Sequence, residues 1–223
     1  MRTRKILIGI VLVFFLTIGL KFTSAFFSDA GQSQNNTFAA ADTFPTPTLA
    51  VTPTPSPSPT PAVIIVINEI SSGGDSKDEW VELYNPTDSP INVSGWKISD
   101  KNAFDSGGDD TFPTTPSIPS LGYAVVITNN STVAGIPSSA ITIELVNANI
   151  GSGLNNTGDA VHLKNALNVV VDSMSYGNET SVFPIPPTTP SSSQSLARSP
   201  NGTDTNSASD WIIDTTPSLG ISN

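Results

Sequence analysis

The chain has 223 residues, no cysteine and one histidine, which excludes disulfide bonds, thiolate metal sites and most catalytic schemes that need a histidine base. Four of its nine basic residues precede position 25, and all 19 acidic residues follow it. Cleavage after Ala25 would leave five basic and 19 acidic residues, a net charge of −14, which should repel nucleic acids and anionic lipids.

Residues 1–25 have the layout of a secretory signal peptide. A basic start precedes an apolar run of 15 residues, Ile6 to Leu20, and small residues end at Ala25. A membrane span prefers about 20 apolar residues, so the run is short for an anchor. We expect export with cleavage near Ala25; retention of the segment as a membrane anchor is the alternative.

Residues 26–44 follow as a polar segment, "FFSDAGQSQNNTFAAADTF". Their spacing F-S-D-x-x-x-S-x-x-N-x-F-x-A resembles the mature N-terminus of camelysin/TasA-type exported proteins. The residues that carry this resemblance are Phe27, Ser28, Asp29, Ser33, Asn36, Phe38 and Ala40. The resemblance implies export, and the alternative interpretation is a disordered spacer.

Residues 45–61 read "PTPTLAVTPTPSPSPTP", with seven prolines set mostly among Thr and Ser. Proline fixes φ and lacks a backbone donor, which excludes helix and sheet. We predict an extended polyproline-type linker that spans up to ~50 Å at ~3.1 Å per residue. Such a linker can hold a domain away from the point at which the chain is anchored.

From Ala62 to the end the sequence shows the period-2 patterning of β-strands and no helical periodicity. Turn signals such as N-P, G-G, N-N and P-N-G separate the segments. The predicted strands are 62–70, 79–85, 91–99, 123–129, 140–146, 159–165 and 168–176, with short runs near Leu196 and at 211–213. Eight or nine short strands in residues 62–223 predict an all-β sandwich.

Three details of this pattern make finer predictions. In 91–99 the apolar parity switches at Gly95, which predicts a β-bulge at that glycine. In 159–165 His162 and Lys164 alternate with apolar residues and are expected to face solvent. In 62–70 strict alternation would place Asn68 and Glu69 on opposite faces of the strand.

Eight ordered motifs resemble the lamin tail domain in its prokaryotic exported form. They are VINEI, DEWVELYN, INVSGWKISD, LGYAVVITN, LNNTGDAVHL, VVDSMSYG, SLARSPNG and DWIIDTTPSLG, across residues 62–223. The resemblance implies an immunoglobulin-like β-sandwich and a role in adhesion or docking. It also marks a set of landmark polar residues: Asn68, Glu69, Glu82, Asn85, Gly158 and Asp159. Residues 101–120 form an insertion between the third and fourth motifs.

The stretch Trp80–Glu82–Tyr84 on one strand face allows two interpretations. Aromatic residues that flank an acid suit recognition of a peptide or a sugar. Alternatively, Trp80 and Tyr84 cover the second face of the strand, and Glu82 accepts backbone hydrogen bonds. We favour the structural interpretation. The candidate binding residues are Asn68, Glu69, Trp80, Glu82, Tyr84, Asn85 and Asp159.

Two further clusters are candidates for chemistry. Oxygen-bearing side chains crowd a glycine-containing stretch and are candidate calcium ligands, although they miss the spacing of a helix-loop-helix calcium loop: Asp100, Asn102, Asp105, Asp109 and Asp110. A convergence of Asn68, Glu69 and Asp159 would supply the acid pair of a glycoside hydrolase. Buried hydrogen-bond scaffolding is the interpretation we favour for that second set.

Together these features predict an exported, non-catalytic module that binds a surface protein or polysaccharide. No nucleic acid partner is expected, membrane contact is expected only through an uncleaved signal segment, and no cofactor is expected other than the candidate calcium. Two alternatives are a carboxylate- or metal-dependent extracellular hydrolase and an extracellular protein that self-assembles through exposed strand edges.

Overall fold

A computed structural model of the chain describes residues 65–114 and 116–223. The predicted signal peptide, the polar segment 26–44 and the proline-rich linker lie outside these residues. Within the described part, no helix is both long and apolar enough to cross a membrane.

The described residues form short strands joined by turns, with one α-helix and two 3-10 turns (Ser76–Asp78 and Ala208–Asp210). The α-helix, α1, is Lys101–Ser106. The strands are β1 (Val66–Ser71), β2 (Trp80–Tyr84), β3 (Ile91–Asn92), β4 (Lys97–Asp100), β5 (Asp110–Thr111), β6 (Ser117–Ile118), β7 (Tyr123–Ile127), β8 (Ile141–Glu144), β9 (Ala160–Lys164), β10 (Val170–Ser175), β11 (Ser195–Arg198) and β12 (Trp211–Asp214).

Two main sheets enclose the hydrophobic core. One has the strand order β12-β11-β1-β2-β7-β8, and the other has the order β10-β9-β4-β5, while β3 and β6 form a separate pair. Neighbouring strands are antiparallel except for β7 and β8, which are parallel. Isoleucine, valine and leucine side chains of both sheets are buried between them. The predicted all-β, immunoglobulin-like sandwich is confirmed.

Strand β1 is buried along its whole length, as its continuous apolar run predicts. Its pairing with β2 shifts between Ile67 and Glu69, so that one extra residue of β1 is accommodated in a β-bulge. Ile67 and Ile70 both reach the core. The bulge leaves Asn68 and Glu69 together on the opposite side, so the prediction that they alternate faces is wrong.

The predicted bulge at Gly95 is also wrong, because a tight turn replaces it. The Trp96 amide donates to the Val93 carbonyl at 3.0 Å, and Gly95 has a φ of +70°, which favours glycine. The turn passes the chain from β3 to β4, which lie in different sheets. Apolar side chains on both sides of the turn therefore reach one core, which is what the parity switch required.

Helix α1 is the element that the sequence pattern missed, because six residues are too few to show a helical period. Asp100 Oδ1 accepts the Ala103 amide at 2.7 Å and caps its start. Gly107, with a φ of +78°, ends it. Phe104 of this helix stacks on the His162 ring, with centroids 3.9 Å apart. His162 is therefore only 7% exposed, and the prediction that it faces solvent is wrong.

Candidate functional site

Three landmark polar residues meet on the outer face of the six-stranded sheet. Asn68 and Glu69 come from the bulge of β1, and Glu82 comes from the neighbouring position of β2. All three are fully buried. We call these three residues the polar face. Residues 215–223, which follow β12, contact each of them and are called the covering segment.

Glu82 is held by both of its carboxylate oxygens. Oε1 accepts Asn68 Nδ2 at 2.8 Å, and Oε2 accepts the backbone amide of Gly220 at 2.6 Å. Burial raises the pKa of Glu82 to about 8, although these two hydrogen bonds favour the charged form. Glu82 thus accepts a backbone hydrogen bond, as the structural interpretation of the Trp80–Glu82–Tyr84 stripe expects.

Glu69 holds the covering segment at a second point. Its Oε1 accepts the Ser218 amide at 3.2 Å, and its Oε2 accepts the Ser218 hydroxyl at 3.0 Å. The Ser195 hydroxyl of β11 also donates to Oε1. Burial raises the pKa of Glu69, and the hydroxyl bonds oppose that rise.

Asn68 connects the polar face to the loop after β11. Its Oδ1 accepts the Gly202 amide at 2.8 Å, and its Nδ2 donates to Asn201 Oδ1 at 3.0 Å. Asn223 Nδ2 donates to the Asn68 carbonyl at 3.3 Å. Every polar group of this asparagine side chain is therefore engaged with the chain itself.

The two aromatic residues of the predicted stripe are not an open surface. Trp80 is buried, and Tyr84 packs on Tyr123 of β7 with ring centroids 4.9 Å apart. Gly202 lies so close to the Tyr84 ring that a Cβ there would stand 2.7 Å from it. Recognition of a ligand at Trp80 and Tyr84 stays a prediction, and any such ligand would have to displace this packing.

Asn85 lies away from the polar face, just beyond the end of β2. Its Nδ2 donates to the carbonyls of Ser89, Ile118 and Pro119, and its Oδ1 accepts from Thr87. These bonds tie the loop after β2 to the segment after β6. The arrangement is that of a loop clamp with saturated hydrogen-bonding capacity.

Asp159 lies just before β9, and its hydrogen-bond partners are different from those of Asn68 and Glu69. Its Oδ1 accepts the amides of Lys101 and Ala160, and its Oδ2 accepts the amide of Asn155 at 2.9 Å. Burial raises its pKa. The structure therefore does not bring together the acid pair that a glycoside hydrolase would need from Glu69 and Asp159. Gly158 beside it has a φ of +150° and packs against Asn178.

Glu79 is a buried carboxylate that the sequence interpretation missed. Its Oε1 accepts the Leu154 amide at 2.9 Å, whereas Oε2 has no hydrogen-bond partner within the described residues. Burial raises its pKa to about 8, and the nearby charges of Asp159 and Asp100 add to that rise. The signal was present in the sequence, since Glu79 shares the parity of the core residues Val81 and Leu83.

The candidate calcium ligands are spread over several local contacts. Asp105 pairs with Lys101 at 2.7 Å, and Asp109 pairs with Lys164 at 2.8 Å. Asp100 and Asp110 are buried and accept hydrogen bonds from the loop at 147–152, whereas Asn102 is exposed. Among the described residues, no group of three or more acidic or histidine side chains has the geometry to hold a metal ion. Calcium binding stays a prediction.

Arg198 of β11 joins the two sheets, and the sequence interpretation did not single it out. It is 1% exposed, and its Nη2 donates to both carboxylate oxygens of Asp172 in β10, at 2.9 and 3.1 Å. Asp204 and Asp210 lie 3.2 and 3.4 Å from Nη1, so three carboxylates surround one guanidinium, and the Trp211 ring lies 4.7 Å from it. Its Nε and Nη1 also donate to the carbonyls of Ile67 and Thr203, so all three guanidinium nitrogens are engaged, which indicates a structural role.

Two surface hollows in the described part of the chain have volumes of about 310 and 390 Å³. The first is lined by residues 182–185 and 206–208, and the second by residues around Pro113 and Ile141. Neither is lined by an acidic residue. Neither hollow therefore presents the paired carboxylates of a glycosidase.

The family model described as Lamin Tail Domain matches residues 58–178, which contain β1 to β10 and all of the landmark polar residues. No curated protein matches the chain. The covering segment and strands β11 and β12 lie beyond the matched residues, although the resemblance of the motifs extends to them.

Proposed function

The chain belongs to the lamin tail domain family, and we propose that it is an exported, non-catalytic module that binds a surface protein or polysaccharide. The immunoglobulin-like fold of this family suits a binding or structural role. Fold alone does not assign function, so the proposal rests on the chemistry of the site.

One observation carries the non-catalytic part of this proposal. The oxygens of Glu69 and Glu82 are engaged by side chains of the sheet and by the covering segment. Asp159 accepts three backbone amides elsewhere in the domain. A general acid or base must reach a substrate proton, and these carboxylates reach groups of the chain itself.

Export and reach are supported by the sequence before the domain. The signal-like residues 1–25 favour secretion, and the linker at 45–61 would hold the domain up to ~50 Å from a point of attachment. Residues 62–223 contain five basic and 17 acidic residues. That charge favours a neutral or cationic partner over nucleic acid or an anionic membrane.

A pull-down tests the binding role. The purified full chain is incubated with cell-wall, polysaccharide and surface-protein fractions, and retention is compared with that of a chain that ends at residue 61. We expect at least one fraction to retain the full chain and to release the short one. If no fraction retains the full chain above the short control, the binding role is wrong.

A hydrolase screen with added divalent metals tests the absence of catalysis. We expect no turnover by the unaltered chain. Turnover that falls on Glu69→Gln or on Asp159→Asn would contradict the proposal, because it would give these carboxylates a catalytic role. Calcium is included among the metals, and a rise in melting temperature with calcium would support the predicted site at Asp100, Asn102, Asp105, Asp109 and Asp110.

A further inference from the structure

The covering segment is held at a β-turn, in which the Ile221 amide donates to the Ser218 carbonyl at 3.0 Å. Two of its backbone amides, those of Ser218 and Gly220, donate to Glu69 and Glu82. Both of these bonds engage the main chain of the segment.

The site around Glu69 and Glu82 also selects glycine at one position of the segment. Gly220 is buried and has a φ of +77°. A Cβ at this position would lie 2.7 Å from Pro137 Cδ and 2.8 Å from Ala140 Cβ, in the connection between β7 and β8. Only glycine satisfies both the backbone angle and the space. The site therefore reads sequence as well as the backbone.

Little apolar surface holds the segment in place. Gly220 is its one buried residue, and Ile221 is 51% exposed. Its contacts with the polar face are hydrogen bonds to carboxylates whose burial is itself unfavourable, as the raised pKa of Glu82 indicates. Opening would expose these carboxylates to water, so local release is easier than unfolding of the sheet.

We propose that Asn68, Glu69 and Glu82 line a peptide-binding groove that releases its own covering segment and takes up the same segment from a second copy of the chain. An identical segment fits the groove by construction, and mutual exchange produces a closed dimer with two equivalent contacts. This inference rests on the proposed binding role and names one site and one partner for it.

Cysteine trapping tests the exchange, since the chain has no cysteine of its own. Asn223 of the segment lies beside Asn201 of the groove, with its amide 3.4 Å from Asn201 Oδ1. A full chain with Asn201→Cys is mixed under mild oxidation with a full chain carrying Asn223→Cys. The matched control replaces the second partner by Asp88→Cys, at an exposed loop position.

We expect the mixed disulfide of Asn201→Cys with Asn223→Cys to form ~10-fold faster than the control disulfide, because docking raises the effective concentration of the two thiols. Equal rates for the two pairs would overturn the inference. The double variant in one chain supplies the reference rate for bridging within a single copy.

Peptide binding gives a second, independent test. A fluorescent peptide, TTPSLGISN, is titrated into a full chain with Gly220→Val, whose own segment no longer fits the groove. We expect saturable one-to-one binding, and ~10-fold or weaker binding of the same peptide with valine in place of its glycine. Equal affinity for the two peptides, or no binding of either, would overturn the inference. Retention of the chain by a surface fraction without exchange would leave the proposed function intact and remove only this groove.

Discussion

The outer faces of the two sheets are covered by different means. On the six-stranded sheet, buried carboxylates of the polar face accept hydrogen bonds from an irregular segment. On the four-stranded sheet, Phe104 of α1 stacks on the His162 ring, and the Lys164 ammonium lies 4.3 Å from the centre of the Phe104 ring. The first cover depends on matched donors and acceptors, and the second depends on ring contact.

This difference separates the part of the domain suited to exchange from the part suited to stability. A hydrogen-bonded cover can be replaced by a segment that offers the same amides and a glycine at the position of Gly220. A stacked ring on a capped helix stabilises its sheet through ring contact and dispersion. The two covers also contain groups whose pKa values shift in opposite directions, so pH should affect them oppositely.

The largest effect should come from breaking the link between the sheets. Replacing Arg198 by methionine leaves Asp172 buried without its cation, and we expect a loss of ~3–5 kcal/mol in the free energy of unfolding. Urea denaturation measures it. Lysine at this position is the control, since it keeps the charge and loses the other guanidinium donors, and its loss of stability should lie between zero and that of the methionine variant. A loss below ~1 kcal/mol would mean that the pair does not join the sheets.

A smaller loss is expected when the hydrogen-bonded cover is displaced. Gly220→Val combines a strained φ with a collision against Pro137, and we expect a loss of ~1–3 kcal/mol. Ile221→Ala, one residue away and half exposed, should change stability by less than ~0.5 kcal/mol. Equal effects of the two substitutions would show that the segment is not seated through its glycine.

Removing the ring from the other cover should have a still smaller effect. Phe104→Ala is expected to lose ~0.5–1.5 kcal/mol, because the stacking contact with His162 disappears. Burial lowers the pKa of His162 to about 4, and uncovering the ring should raise that pKa toward 6.5. The chain has one histidine, so a single NMR resonance reports the titration. Leu167→Ala, at an exposed site, should leave the pKa of His162 unchanged.

The pH dependence sharpens the comparison further. The pKa of Glu82 is about 8 in the folded chain and about 4.5 in the unfolded chain, so its neutral carboxyl stabilises the fold. This stabilisation is complete below pH 4.5 and is lost as pH rises through about 8. The pKa of His162 is about 4 in the folded chain and about 6.5 in the unfolded chain, so its neutral imidazole stabilises the fold. This stabilisation is complete above pH 6.5 and is lost as pH falls through about 4. Glu82→Gln should therefore flatten the alkaline decline in stability, and His162→Phe the acid decline. Unfolding measured at pH 4, 6 and 8 gives the result, and the reverse pairing would contradict these assignments.

The sequence predicted the strands well where one side chain in two is apolar. Strand β2 is an example: Val81 and Leu83 alternate with Trp80, Glu82 and Tyr84, and the strand face that carries Val81 and Leu83 packs against the core. The continuous apolar run of β1 hid its bulge, since a strand buried on both faces shows no parity to interrupt. For that reason the sequence did not reveal that Asn68 and Glu69 share a face.

The candidate site was predicted only in its residue types. The landmark motifs named Glu69 and Glu82, but the groups that occupy their oxygens come from Ser218 and Gly220, more than 130 positions later in the chain. No periodicity marks an irregular segment, so its position could not be predicted. Helix α1 was missed for a related reason, because one cap and six residues make a weak local signal.

Amide hydrogen exchange at Gly220 tests most directly whether the buried carboxylates hold the covering segment. In the unaltered chain we expect this amide to be protected, less than that of Val81 in β2 but well above the rate of a free peptide. Glu82→Ala removes its acceptor and should abolish protection at Gly220 while Val81 stays protected. Protection of Gly220 that survives Glu82→Ala, or free-peptide exchange at Gly220 in the unaltered chain, would contradict the role assigned to Glu82.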